Sequence, residues 1–298
     1  MTITPERLRT LFGLNEPRIT LLETTIEEHE NYVLERLSFT FEGKGAVRGL
    51  LTRPRDNAGK LPAILYGHSH GGRYDIGADE LTSGREYLRD PLGPVFAAEG
   101  YVTLCIDMPV FGTRATEGEN AAAKRLLWHG KSLFGEMLSD HAAALTYLIG
   151  RDDVDPACIG AFGMSMGCTL SYWLAAVDPR IAAVAHHSCY CDYETLNELG
   201  AQDGHGIYLM VPGLLEATST GEIAGLIAPR PQLICVGDAD SLTPPLAIDR
   251  AYAQTSALYR AQGAENKLTL LREPGIKHEE TDRMRQTMLS FFRDTLQR

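Results

Sequence analysis

The chain has 298 residues, of which 44% are hydrophobic and 22% charged, and its formal net charge is −11 at pH 7. This length and composition are ordinary for one soluble α/β domain, residues 1–298. The sequence has no apolar run near the ~20 residues of a membrane span and no leader pattern, so a location in the cytoplasm is expected. The negative charge argues against nucleic acid or an anionic membrane as a partner, and the six cysteines are expected to be reduced.

The first part of the chain predicts a lead-in followed by a hairpin. Residues 1–30 are polar and partly helical in character, and their only apolar patch runs from Ile19 to Ile26. Tyr32 to Phe41 and Ala46 to Thr52 have the residue types of two strands, and the turn between them contains two glycines. These segments predict an antiparallel hairpin at the start of a sheet, and a surface loop follows at 53–60.

From Leu61 onward, buried strands alternate with helices, which is typical of a parallel sheet covered on both faces. The predicted strands are 63–66, 102–106, 159–162, 182–185, 232–236 and 267–271, and the predicted helices are 94–99, 135–149, 166–177, 248–262 and 280–297. Such a doubly wound sheet binds ligands outside the carboxyl ends of its strands.

Two connections, 72–91 and 192–230, are longer than is usual between such elements. The second has apolar residues of its own and is predicted as a small helical cap insertion over the site, with a simple surface excursion as the alternative.

The most informative stretch is Gly163-Met164-Ser165-Met166-Gly167, between a predicted strand and a predicted helix. Glycine two residues on either side of a serine allows a sharp strand-to-helix turn, which exposes the serine hydroxyl. The amide of Met166 then lies at the positive end of the helix. The pattern predicts Ser165 as a nucleophile and Met166 as an oxyanion donor, while a glycine-bounded surface turn is the alternative.

A serine nucleophile needs a base that takes its proton and an acid that orients the base. The order serine, acid, histidine along the chain favours His278, which alone among the nine histidines follows the last predicted strand. Two carboxylates follow strand 232–236. Asp240 is predicted as the acid because it lies farther round the turn, Asp238 is predicted to serve the turn itself, and Asp192 is a weaker candidate.

The loop His68-Ser69-His70-Gly71-Gly72 follows the first buried strand. Its glycines allow close approach to a substrate, so the amide of His70 is predicted as the second oxyanion donor. The side chains of His68, His187 and Tyr208 are predicted to line the substrate pocket. A metal site at the two loop histidines is the weaker interpretation, because no third ligand is near in sequence.

These motifs resemble those of the α/β-hydrolases, nearest to the branch that holds dienelactone hydrolases, acetyl xylan esterases and prolyl-oligopeptidase-type catalytic domains. The resemblance covers residue 46 to the C-terminus. Residues 68–72 resemble the oxyanion loop, with Ser69 where the family usually has glycine; Asp240-x-x-x-Pro244 resembles the acid loop and Gly275-x-x-His278 the histidine loop. The resemblance implies an α/β-hydrolase fold, with a mostly parallel sheet and a Ser-His-Asp triad.

We therefore expect a serine hydrolase that cleaves small-molecule carboxylic esters through an acyl-enzyme, without a metal or cofactor. The same triad could act on a lactone, a thioester, a peptide or a carbon–carbon bond next to a carbonyl group. A non-catalytic binding protein that kept the fold and a metal-dependent hydrolase are the alternatives from other classes. A homodimer is expected only because twofold oligomers are common.

Overall fold

The computed structural model describes residues 3–56 and 59–297, so the predicted loop at 53–60 includes two residues outside the described part. Within these residues, nine strands form one sheet. The strands are Ile19–Glu28 (β1), Tyr32–Phe41 (β2), Gly45–Pro54 (β3), Leu61–Gly67 (β4), Val102–Ile106 (β5), Val154–Met164 (β6), Ala183–His187 (β7), Gln232–Gly237 (β8) and Leu268–Glu273 (β9).

The sheet order is β1-β2-β3-β5-β4-β6-β7-β8-β9. The first three strands are antiparallel to their neighbours, and β3 is also antiparallel to β5. From β5 to β9 all neighbours are parallel, in a register that pairs Leu65 with Ala161 and Phe162 with Ala185. The predicted fold, a hairpin leading into a mostly parallel doubly wound sheet, is confirmed. The loops after β4, β6, β7, β8 and β9 therefore meet at one edge of the sheet.

Helices cover both faces of the sheet. They are Pro5–Phe12 (α1), Glu80–Ser83 (α2), Leu92–Ala98 (α3), Glu119–Leu127 (α4), Leu133–Ile149 (α5), Met166–Val177 (α6), Tyr193–Leu199 (α7), Leu214–Ala217 (α8), Thr220–Gly225 (α9), Pro245–Ala261 (α10) and Asp282–Leu296 (α11). Short 3₁₀ turns lie at Gly77–Asp79, Gly112–Arg114, Gln202–Gly204, Ile207–Leu209 and Glu265–Lys267.

Two apolar cores lie on opposite faces of the sheet. One contains residues of α1, α5, α6, α9 and α10, and in it the rings of Phe12 and Trp173 stack with their centroids 4.9 Å apart. The other contains residues of α2, α3 and α11, with the ring of Phe96 edge-on to Phe162 and Phe292. Burial on both faces explains the near-continuous apolar sequence of the central strands. Among the described helices, none is long and apolar enough to cross a membrane.

Strand β1 is not predicted by the sequence pattern, which indicates only an apolar patch within a lead-in. It forms an edge of the sheet and is mostly exposed on both faces, with Leu22 61% and Ile26 58% exposed. A bulge between Leu21 and Glu23 also shifts its register with β2. An edge strand without a buried face has no reason to alternate apolar and polar residues, which removes the usual signal.

The long segment 192–230 contains the helices α7, α8 and α9. Its beginning is fixed by Asp192, whose carboxylate caps α7 by accepting hydrogen bonds from the amide and hydroxyl of Thr195. Among the described residues, no hydrogen bond joins Asp192 to a histidine. The role of the segment as a cap stays a prediction.

Candidate active site

Ser165 lies at the turn between β6 and α6. Its φ of +59° is unusual for a residue with a side chain. A Cβ on Gly163 would lie 2.3 Å from the carbonyl carbon of Gly167, and one on Gly167 would lie 1.9 Å from the carbonyl oxygen of Gly67. Only glycine fits at both positions, so the spacing of the motif reflects the close contact between this turn and the end of β4.

Asp240 and His278 form a hydrogen-bonded pair. The carboxylate of Asp240 is 2% exposed; its Oδ2 is 2.7 Å from His278 Nδ1, and its Oδ1 accepts from the amide of Leu242 at 2.9 Å. Burial raises the pKa of Asp240, but the hydrogen bonds from His278 and the Leu242 amide outweigh burial and leave the pKa below its usual value. Asp238 pairs instead with Arg272 on the other side of the turn.

The loops that carry the acid and the histidine are bonded to each other. The amide of Ala239 donates to the carbonyl of Ile276 at 2.8 Å, and the amide of Asp238 donates to the carbonyl of Glu273 at 3.0 Å. A Cβ on Gly237 would lie 2.3 Å from the Ile276 oxygen, so the two loops touch along their backbones. This backbone contact sets the distance between the carboxylate and the imidazole.

A cavity of about 320 Å³ lies at the carboxyl edge of the parallel strands. It is lined by His70, Gly71, Gly72, Ser165, Cys189, Gly204, His205, Gly206, Tyr208, Leu242 and His278. The structure therefore brings the predicted nucleophile, the predicted base and the predicted pocket residue Tyr208 to one cavity, with Asp240 hydrogen-bonded to the base. Four of the lining residues come from segment 192–230. The lining set contains no lysine or arginine.

Two of the predicted pocket residues, His68 and His187, lie beneath this cavity and not in its lining. His68 is fully buried; its Nδ1 donates to the carbonyl of Ser69, and its Nε2 accepts from the amide of Met108. Burial lowers the pKa of His68 to about 4. The ring of His187 packs edge-on against Phe162, and burial lowers its pKa to about 4. Both histidines lie at strand ends, where successive side chains point alternately toward the site and toward the interior. The side chains of these two histidines point toward the interior.

The loop 68–72, which is predicted to supply an oxyanion donor, is held in place by Glu80. This buried carboxylate accepts from the amide and the hydroxyl of Ser69 at 2.9 and 3.1 Å, and Arg85 bridges from Glu80 to the carbonyl of Gly71. Burial raises the pKa of Glu80 against the effect of these hydrogen bonds. The side chain of Ser69, which replaces the glycine usual in the resembled motif, is thus occupied by Glu80.

The two amides predicted as oxyanion donors are both without an internal acceptor. Within residues 3–56 and 59–297, neither the His70 amide nor the Met166 amide donates a hydrogen bond to another group. Met166 is the first residue of α6, so its amide belongs to the unpaired first turn. Both amides are thus free to donate to a ligand, and their role as oxyanion donors stays a prediction.

Cys189 and Glu119 are among the residues of the site that the sequence analysis does not predict. The thiol of Cys189 is 3.9 Å from Ser165 Oγ, and burial raises its pKa to about 12. Its position just after β7, at the carboxyl edge of the sheet, is a signal that could have indicated it. Glu119, at the start of α4, accepts from Nε2 of His70 at 2.6 Å. No motif links it to His70, which is 49 positions away.

The ring nitrogens of the loop histidines are occupied by Glu119 and by backbone groups. Across the described part of the chain, no group of three or more His, Cys, Asp and Glu side chains is arranged to hold a metal ion.

Comparison with known proteins gives three findings. A sequence model of the dienelactone hydrolase family matches residues 90–204. The chain is 37% identical over 290 residues to "Putative hydrolase YtaP" of Bacillus subtilis (strain 168), covering 97% of both proteins. Acetyl xylan esterase 1 of Thermoanaerobacterium sp. JW/SL YS485 and an acetyl xylan esterase of Paenibacillus sp. R4 share the fold.

The two esterase structures are 18% and 16% identical to this chain, with TM-scores of 0.67 and 0.70. Each alignment covers 98% of this chain, and 92% and 93% of the respective esterase. At these identities the likeness shows the fold.

Proposed function

The chain belongs to the dienelactone hydrolase family of α/β-hydrolases, and we propose that it is a serine hydrolase that cleaves small carboxylic esters through an acyl-enzyme. The observation that carries this proposal is the convergence of three loops on one cavity. Ser165 and His278 line that cavity, and the Nδ1 atom of His278 is 2.7 Å from the buried carboxylate of Asp240.

In the proposed mechanism, Nε2 of His278 takes the proton of Ser165 as its Oγ bonds to the ester carbonyl carbon. Asp240 holds the proton on Nδ1, which leaves Nε2 as the acceptor, and it stabilises the charged imidazolium that forms. The amides of Met166 and His70 donate to the oxyanion of the tetrahedral intermediate. The alcohol leaves with the proton from His278, and water then repeats the sequence to release the acid.

The cavity supports an uncharged substrate with a short acyl group. Its volume of about 320 Å³ is near the lower end of the range for small-molecule sites. The residues that line it supply no lysine or arginine to pair with a carboxylate on the substrate. The guanidinium of Arg85, which donates to the carbonyl of the lining residue Gly71, is buried and already paired with Glu80. A lactone or ester that carries a free carboxylate should therefore be a poor substrate.

The proposal is tested with p-nitrophenyl esters from acetate to decanoate. Wild type should favour the short esters, and Ser165→Ala should lose about four to six powers of ten in rate while remaining folded. Ser256→Ala is the matched control, because that hydroxyl contacts only the backbone of its own helix. Turnover that survives Ser165→Ala, or that is lost to a chelator and not to an organophosphonate, would overturn the serine mechanism.

The substrate panel also separates the alternatives within the same machinery. p-Nitrophenyl acetate compared with p-nitrophenyl hemisuccinate tests the charge argument, and we expect the neutral ester to be preferred at least tenfold. Lactones, thioesters, prolyl peptides and substrates with a carbon–carbon bond beside a carbonyl group complete the panel. A cytoplasmic location and a homodimer stay proposals, to be checked by fractionation and by light scattering.

A further inference from the structure

Glu119 joins three separate segments at the wall of the cavity. Its Oε2 accepts from His70 Nε2 at 2.6 Å and from the hydroxyl of Tyr74 at 2.9 Å. Its Oε1 accepts from the amide of Tyr208 at 3.1 Å. These partners belong to the oxyanion loop, to the connection 72–91 and to segment 192–230. The side chain of Glu119 is 7% exposed, so the contacts are inside the protein.

The hydrogen bonds of His70 determine where its ring proton lies. Its Nδ1 accepts from the amide of Gly72 at 3.0 Å, so the proton that is shared with Glu119 must be on Nε2. The ring of His70 therefore connects Glu119 to the backbone of its own loop. That loop turns through two glycines with positive φ, +50° at Gly71 and +69° at Gly72, which have no preferred conformation of their own.

Aromatic packing closes the same wall. The ring of His70 stacks on Tyr208 with centroids 5.0 Å apart and is edge-on to Tyr74 and Phe111 at 5.1 Å each. The stacking brings the 192–230 segment against the oxyanion loop, while Glu119 fixes both from behind. A displacement of one would be transmitted to the other.

The buried negative charge of Glu119 is stabilised by its hydrogen-bond donors. In the described residues, no arginine or lysine lies within ion-pair distance of it. Burial raises the pKa of Glu119, but the hydrogen bond and charge interaction with His70, together with the hydrogen bonds from Tyr74 and Tyr208, outweigh burial and leave the pKa below its usual value. A buried carboxylate without an arginine or lysine partner is stable only while its hydrogen-bond donors stay in place, so the three segments are coupled through it.

We propose that Glu119 is a positioning residue that holds the His70 amide at the oxyanion and keeps the 192–230 segment against the site. Its catalytic effect rests on the proposed function, whereas its effect on loop order does not. Because the His70 amide acts on the transition state, loss of the tether should lower kcat and leave KM within about threefold.

The test uses Glu119→Ala, Glu119→Gln and the control Glu117→Gln, whose exposed carboxylate pairs with Arg125. With rates divided by active sites titrated with an organophosphonate, Glu119→Ala should lose about 10- to 100-fold in kcat. Glu119→Gln should lose less in kcat, because its amide oxygen can still accept from His70 and Tyr74. Only the hydrogen bond from the Tyr208 amide would be lost, since the NH₂ group of the glutamine would face that amide. A boronic acid that mimics the tetrahedral intermediate should lose affinity in step with kcat.

A second measurement does not depend on activity. Hydrogen exchange of peptides covering 70–74 and 206–210 should quicken about tenfold or more in Glu119→Ala and stay unchanged in Glu117→Gln. Wild-type exchange in both peptides of Glu119→Ala would overturn the tether, and a kcat per active site equal to that of wild type would overturn its role in positioning the His70 amide. If instead Ser165→Ala retained activity, the proposed function would fail, and the exchange data would still decide the tether.

Discussion

Replacing Asp240 with asparagine exchanges one carboxylate oxygen of the proposed triad for an NH₂ group. The substitution tests the assignment of Asp240, and not Asp238, as the acid. Oδ1 of Asp240 accepts from the Leu242 amide and Oδ2 faces His278 Nδ1. In Asp240→Asn, the amide oxygen can keep the bond to Leu242, which turns the NH₂ group toward His278. The imidazole then places its proton on Nε2 to avoid two facing donors, and Nε2 can no longer accept from Ser165.

The expected loss follows from this wrong tautomer. An asparagine in place of the acid of a serine–histidine–aspartate triad costs about 10⁴-fold in kcat, or about 5.4 kcal/mol of transition-state stabilisation. Asp238→Asn is the matched control. Its carboxylate pairs with Arg272 in a partly exposed position, where an ion pair contributes about 0 to 1 kcal/mol to stability, and it has no contact with the histidine. We expect less than a threefold change in rate.

The assay is kcat/KM for p-nitrophenyl acetate between pH 5 and 9, with melting temperatures to confirm folding. The pKa of Asp240 lies below its usual value, so this carboxylate stays ionised over the whole range and contributes no acid limb to the profile. If Asp238→Asn proved the more damaging, or if both variants lost the same activity, the assignment of the acid would be refuted.

Three further predictions concern the scaffold. Burial lowers the pKa of His141 to about 3, and neither ring nitrogen has a partner in the described structure. Between about pH 6.5 and pH 3 the unfolded chain therefore binds a proton that the folded chain does not, so this histidine lowers the free energy of unfolding as pH falls through that range. In His141→Phe, urea unfolding at pH 6, 5 and 4 should show a slope smaller by about 1.4 kcal/mol per pH unit, and an unchanged slope would contradict this. Gly163→Ala should lower the melting temperature and abolish activity, because its Cβ would overlap the Gly167 carbonyl. Asp107→Asn should cost about 3 kcal/mol in denaturant unfolding, because the fully buried carboxylate accepts from Arg48, and a loss below 1 kcal/mol would contradict it.

The fold could be predicted because its signals are local. Apolar strands, the glycine-bounded serine and the helices between strands can each be recognised from a short stretch of sequence. The order of the parallel strands in the sheet confirms the predicted fold. The ends of helices and strands depend less on such local signals. Helix α10 begins at Pro245, three residues before the predicted start, because proline suits the first turn of a helix without contributing to the apolar periodicity.

For the candidate site, the sequence predicts which residues lie at the carboxyl edge of the sheet but not which of their side chains face the cavity. Sequence order places His68 and His187 at that edge but does not say whether a ring faces the cavity or the interior, and both face the interior. Glu119 was missed because its partners lie 45 to 89 positions away, and such contacts have no spacing rule. The preference for Asp240 over Asp238 rested on turn geometry, and the observed contact with His278 supports it.

The hydrogen bond between the backbones of Ala239 and Ile276 also bears on how the site can move. It ties the loop after β8 to the loop after β9, so thermal motion should carry the carboxylate and the imidazole as one rigid pair. Ser165 belongs to a different turn, and four of the residues that line its cavity come from segment 192–230. Motion of these two loops relative to the turn at Ser165 would then change the distance between the imidazole and the serine hydroxyl, while the imidazole keeps its orientation relative to Asp240.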